Sequence, residues 1–334
     1  MKKPLTSVVI PVFNAQRYIG QAVSSCLNQS QVDIEVIAVD DGSTDGSREV
    51  LAGFKDPRLK YVYQENQGQS SAINRGVAES HGDYIKLLDA DDWIPPNHVA
   101  TQLASLSGHV DAVASCRWGY FLQDFHQPEV RFEVTNRDYE DPMEWIVDSL
   151  TCDEGMMGGW MWLIPREVWI RAGGYNKRLS LNNDFDFSIR LLLASASVRF
   201  ADGAVYCYRK GVSGALSSSH SRRAMESAFL TTDLGTRSLL QHENSERIRR
   251  ISADRFQQWL FQFYPKFPDL VKAAEARIQE LGGSSVQMHG GRLLKLLQPL
   301  IGWKGVRRLQ AVAYGCGWQH ILRWKAVQRK ARFQ

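Results

Sequence analysis

The sequence predicts an α/β fold, a mostly parallel sheet with helices on both faces, followed by a helical C-terminal region. Three observations carry this. From residue 5 to about residue 90, short β-branched and apolar runs alternate with stretches of helical spacing. Two of those runs end in clustered carboxylates, Asp40-Asp41 and Asp89-Ala90-Asp91-Asp92. From about residue 221 the alternation stops and only helical periodicity remains.

The elements follow in order. Residues 7–12 are a β-branched strand, and residues 18–29 carry Ile19, Ala22, Val23, Cys26 and Leu27 at helical spacing. A second strand at 34–39 runs into Asp40-Asp41-Gly42-Ser43. Thr44 or Asp45 is a suitable N-cap for a helix reaching Phe54. A third strand at 59–63, a helix at 69–80 and a fourth strand at 83–88 follow, and Pro95-Pro96 close the segment. Strands separated by helices at this spacing pair in parallel. Further strands are expected at 111–115 and 198–200, and helices at 143–150, 166–172 and 184–194. Beyond these, 221–240, 245–263, 268–281 and 293–330 read as helices, the last interrupted at Pro299. The boundary is placed near residue 220, giving an α/β domain over 1–220 and a basic helical region over 221–334.

Composition narrows the function. The chain has 334 residues, 44% hydrophobic and 23% charged, which suffices for a sizeable core and excludes wholesale disorder. Five scattered cysteines without a CxxC argue against a disulfide framework or a structural zinc, and suit a reducing compartment. The N-terminus enters a strand pattern too soon for a signal peptide, and no apolar run reaches the ~18 residues a membrane span needs. A cytoplasmic protein is expected. Its net charge of +4 is uneven: ten Lys or Arg from Arg292 to Arg332 follow the last acid, Glu280, leaving −6 on the remainder (4 − 10). With Trp303, Trp318 and Trp324 interleaved, this tail suits peripheral contact with an anionic membrane. No motif for nucleic acid accompanies it.

The carboxylates carry the chemistry. In a parallel sheet, both acidic clusters would lie at the strands' carboxyl ends, where ligands bind. Read alone, Asp89-Ala90-Asp91-Asp92 is either a solvated turn or a site for a hard divalent ion, Mg²⁺ or Mn²⁺, shared with phosphate oxygens. Asp41-x-Ser43-x-Asp45-Gly46 imitates a calcium loop, but its twelfth position is Ala52 and a strand precedes it. Neither GxxxxGK[ST] nor a GxGxxG at the first strand–helix turn is present. A third constellation, Gly173-Gly174-Tyr175 and then Asn182-Asn183-Asp184, places Asp184 in a helix's first turn. There it either answers the helix dipole or serves as a general base.

Five blocks in sequence resemble family 2 glycosyltransferases: residues 7–14 (SVVIPVFN), 39–45 (VDDGSTD), Asn66-x-Gly68 with Ala72-x-Asn74-x-Gly76, the DADD run, and Gly173-Gly174-Tyr175 with Asn183-Asp184. The resemblance spans roughly 5–215 and implies a GT-A fold, with a nucleotide-sugar half over about 1–115 and an acceptor half over about 116–220. It implies an inverting transferase in cell-surface polysaccharide biosynthesis, moving one sugar from a UDP- or dTDP-sugar to a glycan or lipid-linked acceptor. Pro11, Phe13 and Asn14 would border the base pocket. Asp41 would accept from the imide N–H of the base, assisted by Asp40, with Asn66 and Asn74 nearby. Asp89 and Asp91 would meet the donor, Asp91 and Asp92 would hold the metal, and Asp184 would be the base. Arg209 falls where related chains carry a cation for the diphosphate, and the Gly158–Trp162 stretch would edge the acceptor pocket. Where the family often has Glu-Asp, this chain has Asn183-Asp184, which leaves a catalytically silent nucleotide-sugar-binding protein as the rival. A nucleotidyltransferase is the further rival, but the loop after the first strand is not glycine-rich. The QxxRW block of processive synthases is absent.

Overall fold

The structure is a computed structural model describing residues 4–151, 155–212, 214, 216–288 and 292–315. The chain divides into two compact units, Met1–Ile251 and Ser252–Gln334.

The first unit opens with β1 (Leu5–Val12), α1 (Ile19–Leu27), β2 (Asp33–Asp41), α2 (Ser47–Ala52), β3 (Leu59–Gln64), α3 (Gln69–Ala78), β4 (Tyr84–Leu87) and α4 (His98–Ser105). It continues through β5 (Ala112–Phe121), β6 (Glu129–Val130), α5 (Pro142–Thr151), β7 (Leu163–Pro165), α6 (Arg166–Ala172), α7 (Asn183–Leu193), β8 (Ser197–Arg209) and α8 (Arg222–His242). One sheet runs β3-β2-β1-β4-β7-β5-β6, with β8 paired to β5. The first four strands are parallel, in the register Val8↔Val36 and Val8↔Lys86. β1 is buried on both faces, as a near-continuous Val/Ile run in a covered parallel sheet should be. Gly76 lets α3 lie directly on β1, since a Cβ there would collide with Val9 Cγ1. The chain steps outward from β1 to β2 and β3, then returns across β1 to β4. That reversal makes the crevice where an open α/β sheet binds its ligand.

The second part of the sheet departs from the expected elements. β7, antiparallel to both β4 and β5, is three residues ending in Pro165, too short to stand out in sequence. β8 extends well beyond 198–200. Asp202-Gly203 reads as a turn, but the pairing absorbs it as a register shift opposite Cys116/Arg117 and then resumes to Arg209.

The compact unit continues past residue 220. Ser221 caps α8, its hydroxyl accepting from Ala224 N at 3.2 Å. Gly235 of α8 brings that helix onto Phe185, whose Cε1 an added Cβ would approach to 2.6 Å. Ser227 and Thr231 of α8 donate to the carbonyls of Leu181 and Asn182, each at 3.0 Å. The segment entering α7 is thereby fixed.

α9 (Glu246–Phe263) leads into the second unit, with α10 (Pro268–Glu280) and α11 (Arg292–Gly315). Phe261, Met288 and Val306 are buried together there, with Trp303 against them. α11 breaks at Gly302 (φ 66°, ψ 167°), three residues after Pro299. The expected helix to residue 330 is described to 315, so Trp318, Trp324 and the basic residues after Arg308 lie outside the described residues. No described helix is long and apolar enough to cross a membrane.

Candidate active site

β4 delivers the acidic turn to the carboxyl edge of the sheet. Asp92 N donates to Asp89 O at 3.1 Å, closing the turn. Asp92 itself is enclosed, 1% exposed. Its Oδ2 accepts from the Tyr206 hydroxyl at 2.8 Å and its Oδ1 from Arg209 N at 2.6 Å. Burial, with the charges of Asp91 and Asp89 added, pushes its pKa well up. Expected to join Asp91 on a metal, Asp92 has both carboxylate oxygens on β8 in this structure. Asp89 and Asp91 are the half-buried pair. Burial, then the Asp91 and Asp184 charges, raises Asp89 to about 8, against the hydrogen bond donated by Gln69 Nε2 at 3.1 Å. Asp91 is also raised by burial, and Arg209 opposes that.

Arg209 is packed into the same turn. Its Nε donates to Asp91 O at 2.7 Å, and its guanidinium lies 4.8 Å from the Tyr18 ring centre and 4.5 Å from that of Phe121. The residue expected as a cation for the diphosphate thus also clamps the acidic turn.

The β1 and β2 ends form the neighbouring rim. Asp40 accepts from Ser43 N at 2.8 Å and from the Tyr61 hydroxyl at 2.9 Å. Asp41 accepts from Gln64 Nε2 at 2.7 Å and from the backbone N–H groups of Gln67 and Gly68, each at 2.8 Å. Asn66 Nδ2 donates to Asp41 O at 3.0 Å. These bonds shape the loop after β3, and a carboxylate's remaining lone pairs stay available to one further donor. Asn14, at φ 50°, accepts from Thr44 N at 2.8 Å and so ties the end of β1 to the loop after β2. Pro11 is buried opposite Val39, and Phe13 is 52% exposed beside it. Asp45 accepts from Ser47 N at 3.0 Å, one residue ahead of the Gly46 cap position of α2.

Asn74 bonds to the backbone of Tyr175. Its Nδ2 donates to Tyr175 O at 2.7 Å and its Oδ1 accepts from Tyr175 N at 2.9 Å. Both ends of its amide join α3 to the segment before α7.

Asp184 sits in the first turn of α7. Its Oδ1 accepts from the Tyr175 hydroxyl at 2.6 Å, and the Gly159 N–H also points to it. Burial raises its pKa, against those two donors. Asn182 precedes the helix at φ 62° without a side-chain capping bond, and Asn183 turns inward to donate to Ser70 Oγ at 3.0 Å. Gln69 joins the two: it faces Asn183 Nδ2 at 3.4 Å and donates to Asp89 Oδ1 at 3.1 Å, so the start of α7 lies against the acidic turn. Trp160 and Trp162, expected at the acceptor edge, are interior at 5% and 0% exposure. Trp160 stacks on Tyr206 at 4.1 Å.

Three participants escaped the sequence reading: Tyr206, Gln69 and Lys86. Lys86, in the middle of an apolar strand, was the available signal, since a lysine there must find an internal partner. Among the described residues no three His, Cys, Asp or Glu converge to hold a metal ion. Two half-buried carboxylates, Asp89 raised by the charge of Asp91 and Asp91 by burial, still fit a hard divalent ion whose other ligands are water and phosphate oxygen.

A family model described as glycosyl transferase family 2 matches residues 7–170. Glycosyltransferase GlyG of Streptococcus pneumoniae serotype 4 is 30% identical over 222 residues, 62% of this chain and 71% of that protein. Putative glycosyltransferase EpsH of Bacillus subtilis is 27% identical over 257 residues, 75% of this chain and 73% of that one. An uncharacterized glycosyltransferase of Haemophilus influenzae is 45% identical over 106 residues, 31% of this chain, which spans only 42% of its length. Among solved structures, S. aureus TarS 1-349 in complex with UDP-GlcNAc superposes with a TM-score of 0.67 at 18% identity, covering 93% of this chain and 92% of that one. The mannosyltransferase PcManGT from Pyrobaculum calidifontis, in complex with GDP-Man and Mn²⁺, gives 0.56 at 15% identity, covering 93% and 84%. The likeness is one of fold, and that fold is GT-A.

Proposed function

The chain belongs to glycosyl transferase family 2, and from that premise we propose that it is a metal-dependent, inverting, non-processive glycosyltransferase. It moves one sugar from a UDP- or dTDP-sugar to a hydroxyl of a glycan or lipid-linked acceptor. The observation that carries this reading is that Gln69 meets both Asn183, beside Asp184 at the start of α7, and Asp89 of the acidic turn. The nucleotide sugars held by TarS and PcManGT support the donor class.

Asp184, its basicity raised by burial and its orientation held by Tyr175 and Gly159, takes the proton of the acceptor hydroxyl. The acceptor oxygen bonds to the anomeric carbon as the bond to the diphosphate oxygen breaks on the opposite face, which inverts the configuration. Asp89 and Asp91 would hold a Mg²⁺ or Mn²⁺ ion, which when bound supplies a Lewis acid for the departing diphosphate. Asp41 takes the imide N–H of the base with a lone pair left over from its loop contacts. The basic C-terminal region is assigned to an anionic membrane surface on the cytoplasmic side, supported by its ten cations and no acid after Glu280.

The test is a thermal-shift series with UDP, dTDP, GDP and CMP, each with Mn²⁺ and with EDTA, followed by donor hydrolysis. A metal-dependent shift with UDP or dTDP, retained in Asp184→Asn while hydrolysis is lost, supports the proposal. No metal-dependent shift with any nucleotide overturns it. A shift without hydrolysis or transfer, unchanged by Asp184→Asn, leaves the silent-binder reading in its place.

A further inference from the structure

Asn183 stands where a carboxylate is common in related chains, and its surroundings show what the amide does. The side chain is 4% exposed. Its Nδ2 donates to Ser70 Oγ at 3.0 Å and faces Gln69 Oε1 at 3.4 Å. Ser70 in turn donates to Leu179 O at 3.0 Å. Gln69 spends its own NH₂ on Asp89 Oδ1 at 3.1 Å. The order of donors and acceptors is therefore continuous from Asn183 through Gln69 to Asp89.

We propose that Asn183 and Gln69 are positioning residues, a polarity relay by which the first residue of α7 fixes the orientation of Asp89 in the acidic turn. This rests on the reading of Asp89 and Asp91 as the donor-diphosphate side of the site. An amide presents a donor and an acceptor at opposite ends, so a donor at 183 turns the Gln69 oxygen towards itself and the Gln69 NH₂ towards Asp89. A carboxylate at 183 would be acceptor-only. It would draw the Gln69 NH₂ to itself, present the Gln69 oxygen to the Asp89 oxygen, and add a negative charge beside Asp89, Asp91 and Asp184. Asparagine in place of an acid thus keeps the site intact and removes the main reason to regard the chain as silent.

The relay is tested by titrating Mn²⁺ with UDP into the full-length protein by calorimetry, comparing wild type, Asn183→Asp, Gln69→Ala and the double variant. Ser70→Ala serves as the control for the other contact. The expected result is about tenfold weaker binding in Asn183→Asp and in Gln69→Ala, with the double variant no weaker than the worse single one. Ser70→Ala, which leaves the relay intact, should bind within about twofold of wild type. Melting temperatures identify any variant that fails to fold, and Asn183→Ser, a smaller side chain that can still donate, should recover part of the loss. Wild-type affinity in Asn183→Asp, or losses that multiply in the double variant, overturns the relay while leaving the site reading intact. Absence of binding by wild type overturns both.

Discussion

Lys86 Nζ donates to the carbonyl of Trp160 at 2.7 Å, with the lysine wholly buried and the tryptophan 5% exposed. The bond joins the strand that carries the acidic turn to the short turn that carries Gly159. It is expensive, because desolvation lowers the lysine from 10.5 to about 8. A folded pKa below the unfolded one destabilises the fold wherever the lysine is charged in both states, below about pH 8, by about 3 kcal/mol at 1.4 kcal/mol per unit. Lys86→Met should therefore melt no lower than wild type at pH 7, since an apolar group removes the cost of a buried charge. Its turnover should fall about tenfold, because the Gly159 turn loses its tether. Wild-type turnover in a folded Lys86→Met would show that the bond serves only packing.

Gly159 has no room for a side chain. An added Cβ would collide with the Tyr175 hydroxyl and come within 2.9 Å of Asp184 Oδ1. Gly159→Ala should cost about 1–3 kcal/mol of stability, as overpacking does, and should depress kcat while leaving the nucleotide affinity close to wild type. Denaturant melts and nucleotide titrations on one preparation would separate the two effects.

The pH dependence of the metal-free protein follows from Asp89. Its folded pKa of about 8 lies above the ordinary 3.8, so the folded state holds the proton more tightly than the unfolded one. The stability that this proton provides is complete below 3.8 and is lost as the pH rises through about 8. Saturating Mn²⁺ should accordingly raise the melting temperature more at pH 8 than at pH 5. Equal shifts at both values would count against Asp89 as a ligand.

Arg209→Lys removes a planar group wedged between Tyr18 and Phe121 and the Nε donor to Asp91 O. The charge survives but the clamp does not. Affinity for nucleotide with Mn²⁺ should fall several-fold, with little change in melting temperature. A lysine that restores full affinity would show that only the charge matters.

The first four strands were legible because each is an apolar run between turn signals, and the acidic residues at their ends announced the edge that binds. The orientation of those acids was not legible. Asp92 is drawn inward by Tyr206, 114 residues downstream on a strand that Asp202-Gly203 disguises. The partner of Asn74 within the fold is the backbone of Tyr175, 101 residues away, which no spacing along the chain announces. Spacing along the chain predicts faces and ends; which polar group each side chain meets is decided by elements that arrive later. Asp184 falls in the first turn of its helix as its spacing predicts, whereas its burial and its Tyr175 partner needed the fold.

Asn74 and Tyr175 exchange two hydrogen bonds, a clasp between α3 and the residue that holds Asp184. These bonds exist without any ligand, so the order they impose on α3 and on the segment before α7 is paid for once, during folding.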